Sequence, residues 1–219
     1  MMQTPADDAV LAAFADLATP TLANALDDIG FAGVLTGLRQ IVPGTRAVGR
    51  AVTVRHVVGA RGDYTSADFK VGHIIDATAP GSIIVVDMGG HAISTWGGLA
   101  TLAATVKGIG GLVVDGGVRD QEEMLQHRLP VFARHMTPLT GRTRLQVAEI
   151  GGTIRCGGVR VRAGDVVVAD GSGVVAIPAE HAAAVAANAA RYTQDDMAAE
   201  AALRAGLSFR EAMAKFTRI

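Results

Sequence analysis

The sequence predicts an α/β fold, and three observations carry that expectation: two apolar runs, Ile83-Ile84-Val85-Val86-Asp87 and Leu112-Val113-Val114-Asp115, a helical segment at about 98–109 between them, and a later stretch of short β runs punctuated by glycines. Apolar runs without alternation suit strands buried on both faces. Two such strands joined through a helix make a βαβ unit, whose crossover is expected to be right-handed.

The chain begins helical. Residues 6–18 and 20–29 read as two helices, the second with Thr19 as N-cap, Pro20 at the first helical position and Gly30 as its stop. Ala51-Val52-Thr53-Val54-Arg55-His56-Val57-Val58, rich in β-branched residues and bounded by Gly49 and Gly59, reads as a strand. A helix over 65–77 and a Pro80-Gly81 turn lead into the first apolar strand. After the second, 119–127 reads as helix and 131–135 as strand. Residues 153–177 differ in kind: β runs interrupted by Gly157-Gly158, Ala163-Gly164-Asp165 and Asp170-Gly171-Ser172-Gly173 describe a meander of hairpins. An Ala-rich helix from about 179 to 205 and a short one from 208 to 217, separated by Gly206, close the chain. With 219 residues, near the upper limit of what one hydrophobic core organises, the expectation is one domain over 1–219 with terminal helices at about 6–29 and 179–217.

Composition narrows the function classes. Hydrophobic residues make up 49% of the chain but aromatics only 4%, so Ala, Val, Ile and Leu must fill the interior. A net charge of −1 lacks the basic footprint of a nucleic-acid binder. The single Cys156 forms no intrachain disulfide, and no Cys/His cluster with zinc spacing accompanies it, which suits a reducing cytoplasm. The N-terminal residues lack the basic start and apolar core of a signal peptide, and the Ala-rich run near 182–190 is too short to span a bilayer, so no membrane role is expected.

The segment Gly110-Gly111-Leu112-Val113-Val114-Asp115-Gly116-Gly117-Val118-Arg119-Asp120 is the one most loaded with chemical signal. It carries a buried strand into a glycine pair and then two opposite charges at a helix start, and ligand sites in α/β sheets collect at such carboxyl ends. Gly116 and Gly117 offer a backbone that a ligand can approach. Arg119 presents a planar fork matched to a carboxylate, and Asp120 can hold a hard cation. A helix-start salt bridge between Arg119 and Asp120, with the glycines merely turning the chain, accounts for the same residues equally well. Upstream, Ser94-Thr95-Trp96-Gly97-Gly98-Leu99 precedes a helix whose first N–H groups are free to receive an anion, unless the glycines serve only a tight turn. Asp87 and Asp115 end apolar strands. His56, His73, His91 and His135 are scattered without ligand spacing and read as structural or exposed. Cys156 reads as a passive small side chain, and Glu200 with Arg204 as an i,i+4 helix pair.

Trp96-Gly97-Gly98-Leu99 followed by Val114-Asp115-Gly116-Gly117-Val118-Arg119-Asp120 resembles the signature of the RraA-like family. The resemblance extends in order over nearly the whole chain, through Thr19-Pro20-Thr21-Leu22, Gly49-Arg50-Ala51-Val52-Thr53-Val54 and Gly164-Asp165-Val166-Val167-Val168-Ala169-Asp170. It implies a three-layer β/β/α sandwich of the swivelling-domain kind with N- and C-terminal helices, assembled as a homotrimer or hexamer with sites at subunit boundaries. The family includes class II pyruvate aldolases acting on 4-hydroxy-4-methyl-2-oxoglutarate and 4-carboxy-4-hydroxy-2-oxoadipate, enzymes that decarboxylate oxaloacetate, and regulators that bind ribonuclease E. By resemblance Asp120 would contact Mg²⁺ or Mn²⁺, Arg119 would bind the carboxylate or oxo group of a 2-oxo acid together with Gly97, Gly98 and Leu99, and Glu200 would reach the site of a neighbouring subunit. The aldolases carry an acid separated by twenty residues from the Arg-Asp pair. Here that position is Gly98, which opens the question of what, if anything, replaces the acid, and points toward decarboxylation, which needs no base for a C4 hydroxyl. No lysine falls in the motif to form a Schiff base; Lys70, Lys107 and Lys215 lie outside it.

Overall fold

The computed structural model describes residues 5–216. In chain order its elements are α1 (Pro5–Ala12), α2 (Thr19–Asp27), the two-residue strands β1 (Val34–Leu35) and β2 (Arg39–Gln40), the long strand β3 (Ala47–Val58), α3 (Val71–Ala77), β4 (Ile83–Asp87), β5 (Ser94–Trp96) and α4 (Gly98–Lys107). There follow β6 (Gly111–Val118), α5 (Gln121–His127), β7 (Val131–Met136), β8 (Leu145–Ile150), β9 (Ile154–Cys156), β10 (Val159–Val161), β11 (Val166–Asp170), β12 (Gly173–Ile177), α6 (Ala182–Arg204) and α7 (Phe209–Lys215). Short 3-10 turns at Ser66–Phe69 and Ala179–His181 precede α3 and α6.

The layers follow from how each strand divides its side chains. β4, β6 and β7 run parallel to one another, and β3 runs parallel to β4. On one face of this sheet Val54, Ile84, Val86, Leu112 and Val114 pack under α3, α4 and α5. On the other, Ala51, Ile83, Val85, Val113 and Phe132 meet Ile154, Cys156 and Val161 of the β9–β10 hairpin and Val167, Ala169, Val174 and Ala176 of β11 and β12. The absence of alternation in β4 and β6 thus reflects burial on both sides. β11 and β12 turn Val166, Val168, Val175 and Ile177 outward against Leu22, Leu26, Val185 and Ala189 of the terminal helices. Helices, parallel sheet and antiparallel layer give the three-layer β/β/α sandwich, with α1, α2 and α6 docked on its β side. β3 joins the two β layers, because residues 47–50 pair with β11 and residues 51–55 with β4.

Several boundaries differ from the sequence expectation. Thr19 is not an N-cap: Ala18 occupies that position, and Thr19 is the first helical residue. Its N–H and hydroxyl instead donate to the two oxygens of Asp170, at 2.8 and 2.6 Å, tying α2 to the tip of the β11–β12 hairpin. The helix expected over 65–77 breaks at Lys70, whose φ of 44° ends the 3-10 turn before α3 begins. β6 runs on through Gly116 and Gly117 to Val118, so the glycine pair lies inside the strand. β5 and β8 were not anticipated. The helix expected to reach 217 ends at Lys215, and its last expected residue lies outside the described ones. No helix among the described residues is long and apolar enough to cross a membrane.

Burial pushes the Asp170 carboxyl up, but the hydrogen bonds from Thr19 and Ser172 and the charge of Arg46 outweigh it and hold the group below the usual carboxylate range. Its stabilisation is therefore present above the unfolded carboxylate value and is lost as pH falls through the lower folded one. Thr19→Val is expected to lower stability by about 1–2 kcal/mol at neutral pH in urea unfolding, with the deficit shrinking at acid pH as Asp170 protonates.

Candidate functional site

β5 and β6 end side by side. Ser94 and Trp96 register with Gly117 and Val118, and the Arg119 N–H donates to the Trp96 carbonyl at 3.0 Å. Beyond these ends the two chains diverge: one enters α4 through Gly97 and Gly98, the other turns through Arg119 and Asp120 into α5. A cleft of about 320 Å³ opens between them, lined by Ser94 to Ala100, Arg119, Asp120 and Glu123, with Phe69, Val71 and Thr140 closing the far side. It lies at the carboxyl end of parallel strands, where α/β sheets gather their ligands.

The backbone at Asp120 decides where its carboxylate goes. Asp120 sits in the left-handed region at φ 61° and ψ 51°, a conformation that costs a non-glycine residue about 1 kcal/mol or more and tends to persist at functional sites. From there Asp120 Oδ2 accepts the Gly98 N–H at 3.0 Å and stands 3.4 Å from Arg119 Nε. The salt bridge foreseen for this pair is present, and both residues line the cleft with side chains less than half exposed, 45% for Arg119 and 38% for Asp120.

The glycines before α4 leave space that carboxylates occupy. A β-carbon on Gly97 would overlap Asp120 Oδ2, and one on Gly98 would overlap the Glu123 carboxylate. Glu123, in the first turn of α5, thus delivers an acid to the very space that a side chain at position 98 would fill. With the Gly98 N–H taken by Asp120, the remaining first-turn N–H groups of α4, on Leu99 and Ala100, have no intrahelical acceptor and border the cleft. Leu99 itself is 82% exposed at the rim.

The donor set is one of hard oxygens. Asp120 and Glu123 offer two carboxylates from adjacent turns, which fits a Mg²⁺-like cation that takes one or two carboxylates and leaves its other positions to water and ligand. Among the described residues no group of three or more His, Cys, Asp or Glu side chains is clustered for a metal.

Residues 19–176 match the family model described as RraA-like, Aldolase/RraA. The chain belongs to the RraA-like family. An uncharacterised protein of Methanocaldococcus jannaschii is 42% identical over 48% of this chain and 50% of its own length. The protein DlpA of Legionella pneumophila is 32% identical over 72% of this chain, which spans only 25% of it. A candidate 4-hydroxy-4-methyl-2-oxoglutarate aldolase of Halalkalibacterium halodurans is 30% identical over 87% of this chain and 86% of its own. Among solved structures, an uncharacterised protein of Pseudomonas syringae pv. tomato superimposes with a TM-score of 0.87 at 31% identity, covering 98% of this chain and 97% of that one. RraAS2 of Streptomyces coelicolor, described as an unusual member of the RNase ES inhibitor RraA family, shares the fold with a TM-score of 0.79 at 22% identity over 91% of this chain and 99% of its own.

Not every expected residue of this RraA-like site serves as the sequence suggested. Gly116 and Gly117 face other chain segments, not a ligand: β-carbons there would lie 2.6 Å from Met88 Sδ and 2.6 Å from the Ile93 carbonyl. Their role is to let the segment leading into β5 press against β6. Asp115 is bound by Arg134 at 2.6 Å and by the Gly157 N–H at 2.7 Å, and Asp87 accepts from the N–H groups of Gly89 and Arg155; neither lines the cleft. Glu200 pairs with Arg204 on exposed α6, away from the cleft of its own chain. Cys156 is fully buried, and desolvation drives its thiol well above the ordinary value, in keeping with a passive role.

One residue escaped the sequence reading. Glu123 had a discernible signal, three residues after Asp120 at the start of a helix. His56, expected to be structural or exposed, is structural: it is 6% exposed behind the cleft, its Nε2 lies 3.1 Å from Thr95 Oγ1, and its Nδ1 is buried without a partner among the described residues. Burial pushes its pKa down to about 4.

Two outcomes are expected. Gly98→Ala should leave the fold intact but displace Glu123, weakening Mg²⁺ or Mn²⁺ binding about 10–100-fold in calorimetric titration. For His56, the folded state resists a proton that the unfolded chain accepts, so stability is present above pH 6.5 and is lost as pH falls from 6.5 toward about 4. Denaturant midpoints measured across that window should fall less steeply in His56→Gln, by up to about 1.4 kcal/mol per pH unit.

Proposed function

We propose that this chain is a divalent-metal-dependent carbon–carbon lyase acting on 2-oxo acids, as a class II pyruvate aldolase of the 4-hydroxy-4-methyl-2-oxoglutarate type, an oxaloacetate decarboxylase, or both. The observation that carries the reading is the convergence of Arg119, Asp120, Glu123 and the α4 N–H groups on one cleft. Membership of a family whose model is described as Aldolase/RraA supports it, as does the likeness to the candidate aldolase of Halalkalibacterium halodurans.

Each group has a task in such a reaction. Asp120 and Glu123 would hold Mg²⁺ or Mn²⁺, which supplies Lewis-acid stabilisation of negative charge at the 2-oxo oxygen. Arg119 grips the substrate carboxylate with its planar fork, and the N–H groups of Leu99 and Ala100 add a second anion-binding element. In oxaloacetate the C3–C4 bond breaks, CO₂ leaves, and the bonding pair moves into the C2 carbonyl as pyruvate enolate, which is then protonated at C3. In 4-hydroxy-4-methyl-2-oxoglutarate the same bond breaks after the C4 hydroxyl loses its proton, giving one pyruvate directly and one by way of the enolate. Fixed donors aimed at the developing oxyanion serve both. The aldol route alone needs an acceptor for the hydroxyl proton. Because both cleft carboxylates are engaged in holding the cation, decarboxylation is the less demanding reaction for a single chain.

The reading extends to assembly. Leu99, Leu102 and Val106 follow one another on α4 at helical spacing and remain 82%, 41% and 79% exposed, an apolar stripe that begins at the cleft rim. Its burial against further copies in a homotrimer or hexamer would bring a neighbour's side chains, Glu200 among the candidates, to the site. The rival reading, a regulator of ribonuclease activity, draws on the fold shared with the Streptomyces protein and on no residue of the cleft.

Pyruvate release from oxaloacetate and from 4-hydroxy-4-methyl-2-oxoglutarate tests the proposal. Turnover should require Mg²⁺ or Mn²⁺, vanish with EDTA and in Asp120→Ala, and fall at least 100-fold in Arg119→Ala. Glu123→Gln should raise the metal concentration needed for half-maximal rate. A folded protein that releases no pyruvate from either substrate would overturn the lyase and favour the binding role.

A further inference from the structure

Behind the cleft the polar pair His56 and Thr95 sits in an otherwise apolar setting. Thr95 is 1% exposed yet lines the cleft, and among the described residues its hydroxyl has the single partner His56 Nε2, at 3.1 Å. His56 reaches it from β3, and the other ring nitrogen, Nδ1, is buried with no partner among the described residues. An imidazole so enclosed is neutral and carries one proton, which sits on either nitrogen. Were it on Nδ1, the donor left without an acceptor would be that N–H, which does not border the cleft; were it on Nε2, it would be the hydroxyl hydrogen of Thr95, a residue that lines the cleft, and a bound anion could then satisfy it. With the proton on Nε2, that N–H donates to Thr95 Oγ1. The hydroxyl then accepts from His56, and its own hydrogen, with no acceptor among the described residues, is the donor that a ligand in the adjoining cleft would satisfy.

We infer that Thr95 is a substrate-binding residue that donates its hydroxyl hydrogen to an anionic oxygen of the ligand, and that His56, in its Nε2–H form, is the positioning residue that turns the hydroxyl that way. This rests on the reading of the cleft as a 2-oxo-acid site and adds a donor on the β5 wall, beside the Gly97–Gly98 turn and facing neither helix start. A threonine fixed from behind loses little freedom on binding, so its hydrogen bond is pre-organised in the sense that favours charge developing on a fixed oxygen.

Two measurements on the full-length protein test the inference. Long-range ¹H–¹⁵N spectra of the imidazoles at pH 7 should show His56 neutral and protonated at Nε2. A neutral ring protonated at Nδ1 would mean that Nε2 consumes the Thr95 hydrogen and would overturn the proposal. Calorimetric titration with oxalate, a dicarboxylate resembling pyruvate enolate, in the presence of Mg²⁺ should then give dissociation constants about 10–100-fold weaker for Thr95→Val than for the wild type, and within about twofold for Thr95→Ser, which keeps the hydroxyl. Equal oxalate affinity in wild type and Thr95→Val would sink the Thr95 assignment while leaving the lyase reading intact. Wild-type protein that binds no oxalate would remove both.

Discussion

β6 constrains everything around it. Every residue from Gly111 to Val118 is buried, with Leu112, Val114 and Val118 in the core beneath the helices and Val113 in the core between the sheets. A strand enclosed on both faces has no freedom to slip, because a shift of one residue would exchange the two sets of side chains. Its glycines are part of that enclosure, since they let Met88 and the Ile93 carbonyl close over it. The chain therefore leaves the sheet at a fixed point and in a fixed direction, and the first two residues it releases are Arg119 and Asp120.

Position alone does not make the site. The left-handed backbone at Asp120 folds the carboxylate back over the adjoining turn, where it caps the Gly98 N–H from another segment. This single contact fastens α4 to α5 at their N-termini, aligns both helix starts on one cleft, and brings Glu123 over Gly98. The strained torsion, the missing side chains at 97 and 98 and the acid on α5 form one arrangement, each part occupying space that another leaves.

The framework was legible in the sequence wherever burial was uniform. β4 and β6 declared themselves by unbroken apolar runs, β11 and β12 by hairpin glycines, and α4 by the glycines before it. β5 was hidden because Ser94 and Thr95 are polar residues buried with hydrogen bonds to the nearby Trp96 carbonyl and to the distant His56, and pattern reading assigns such residues to loops. Thr19 looked like a cap because caps are local, whereas its true partner, Asp170, lies 151 residues away. Arg119 and Asp120 were found as a pair. Glu123 was not, because its relation to Gly98 crosses from one helix to another and depends on a torsion that the sequence does not display.

The overlap of Glu123 with the empty volume at Gly98 has a consequence for how such sites diversify. A side chain at position 98 and the carboxylate of Glu123 in its present placement compete for one volume, so an acid on α4 would require Glu123 to swing aside. The family's aldolases, with an acid at the position of Gly98, and this chain, with an acid at 123, would then be alternative solutions to the same geometry. Lineages would tend to stay with the solution they have, and the identity of residue 98 read without residue 123 would misjudge which members of the family can work.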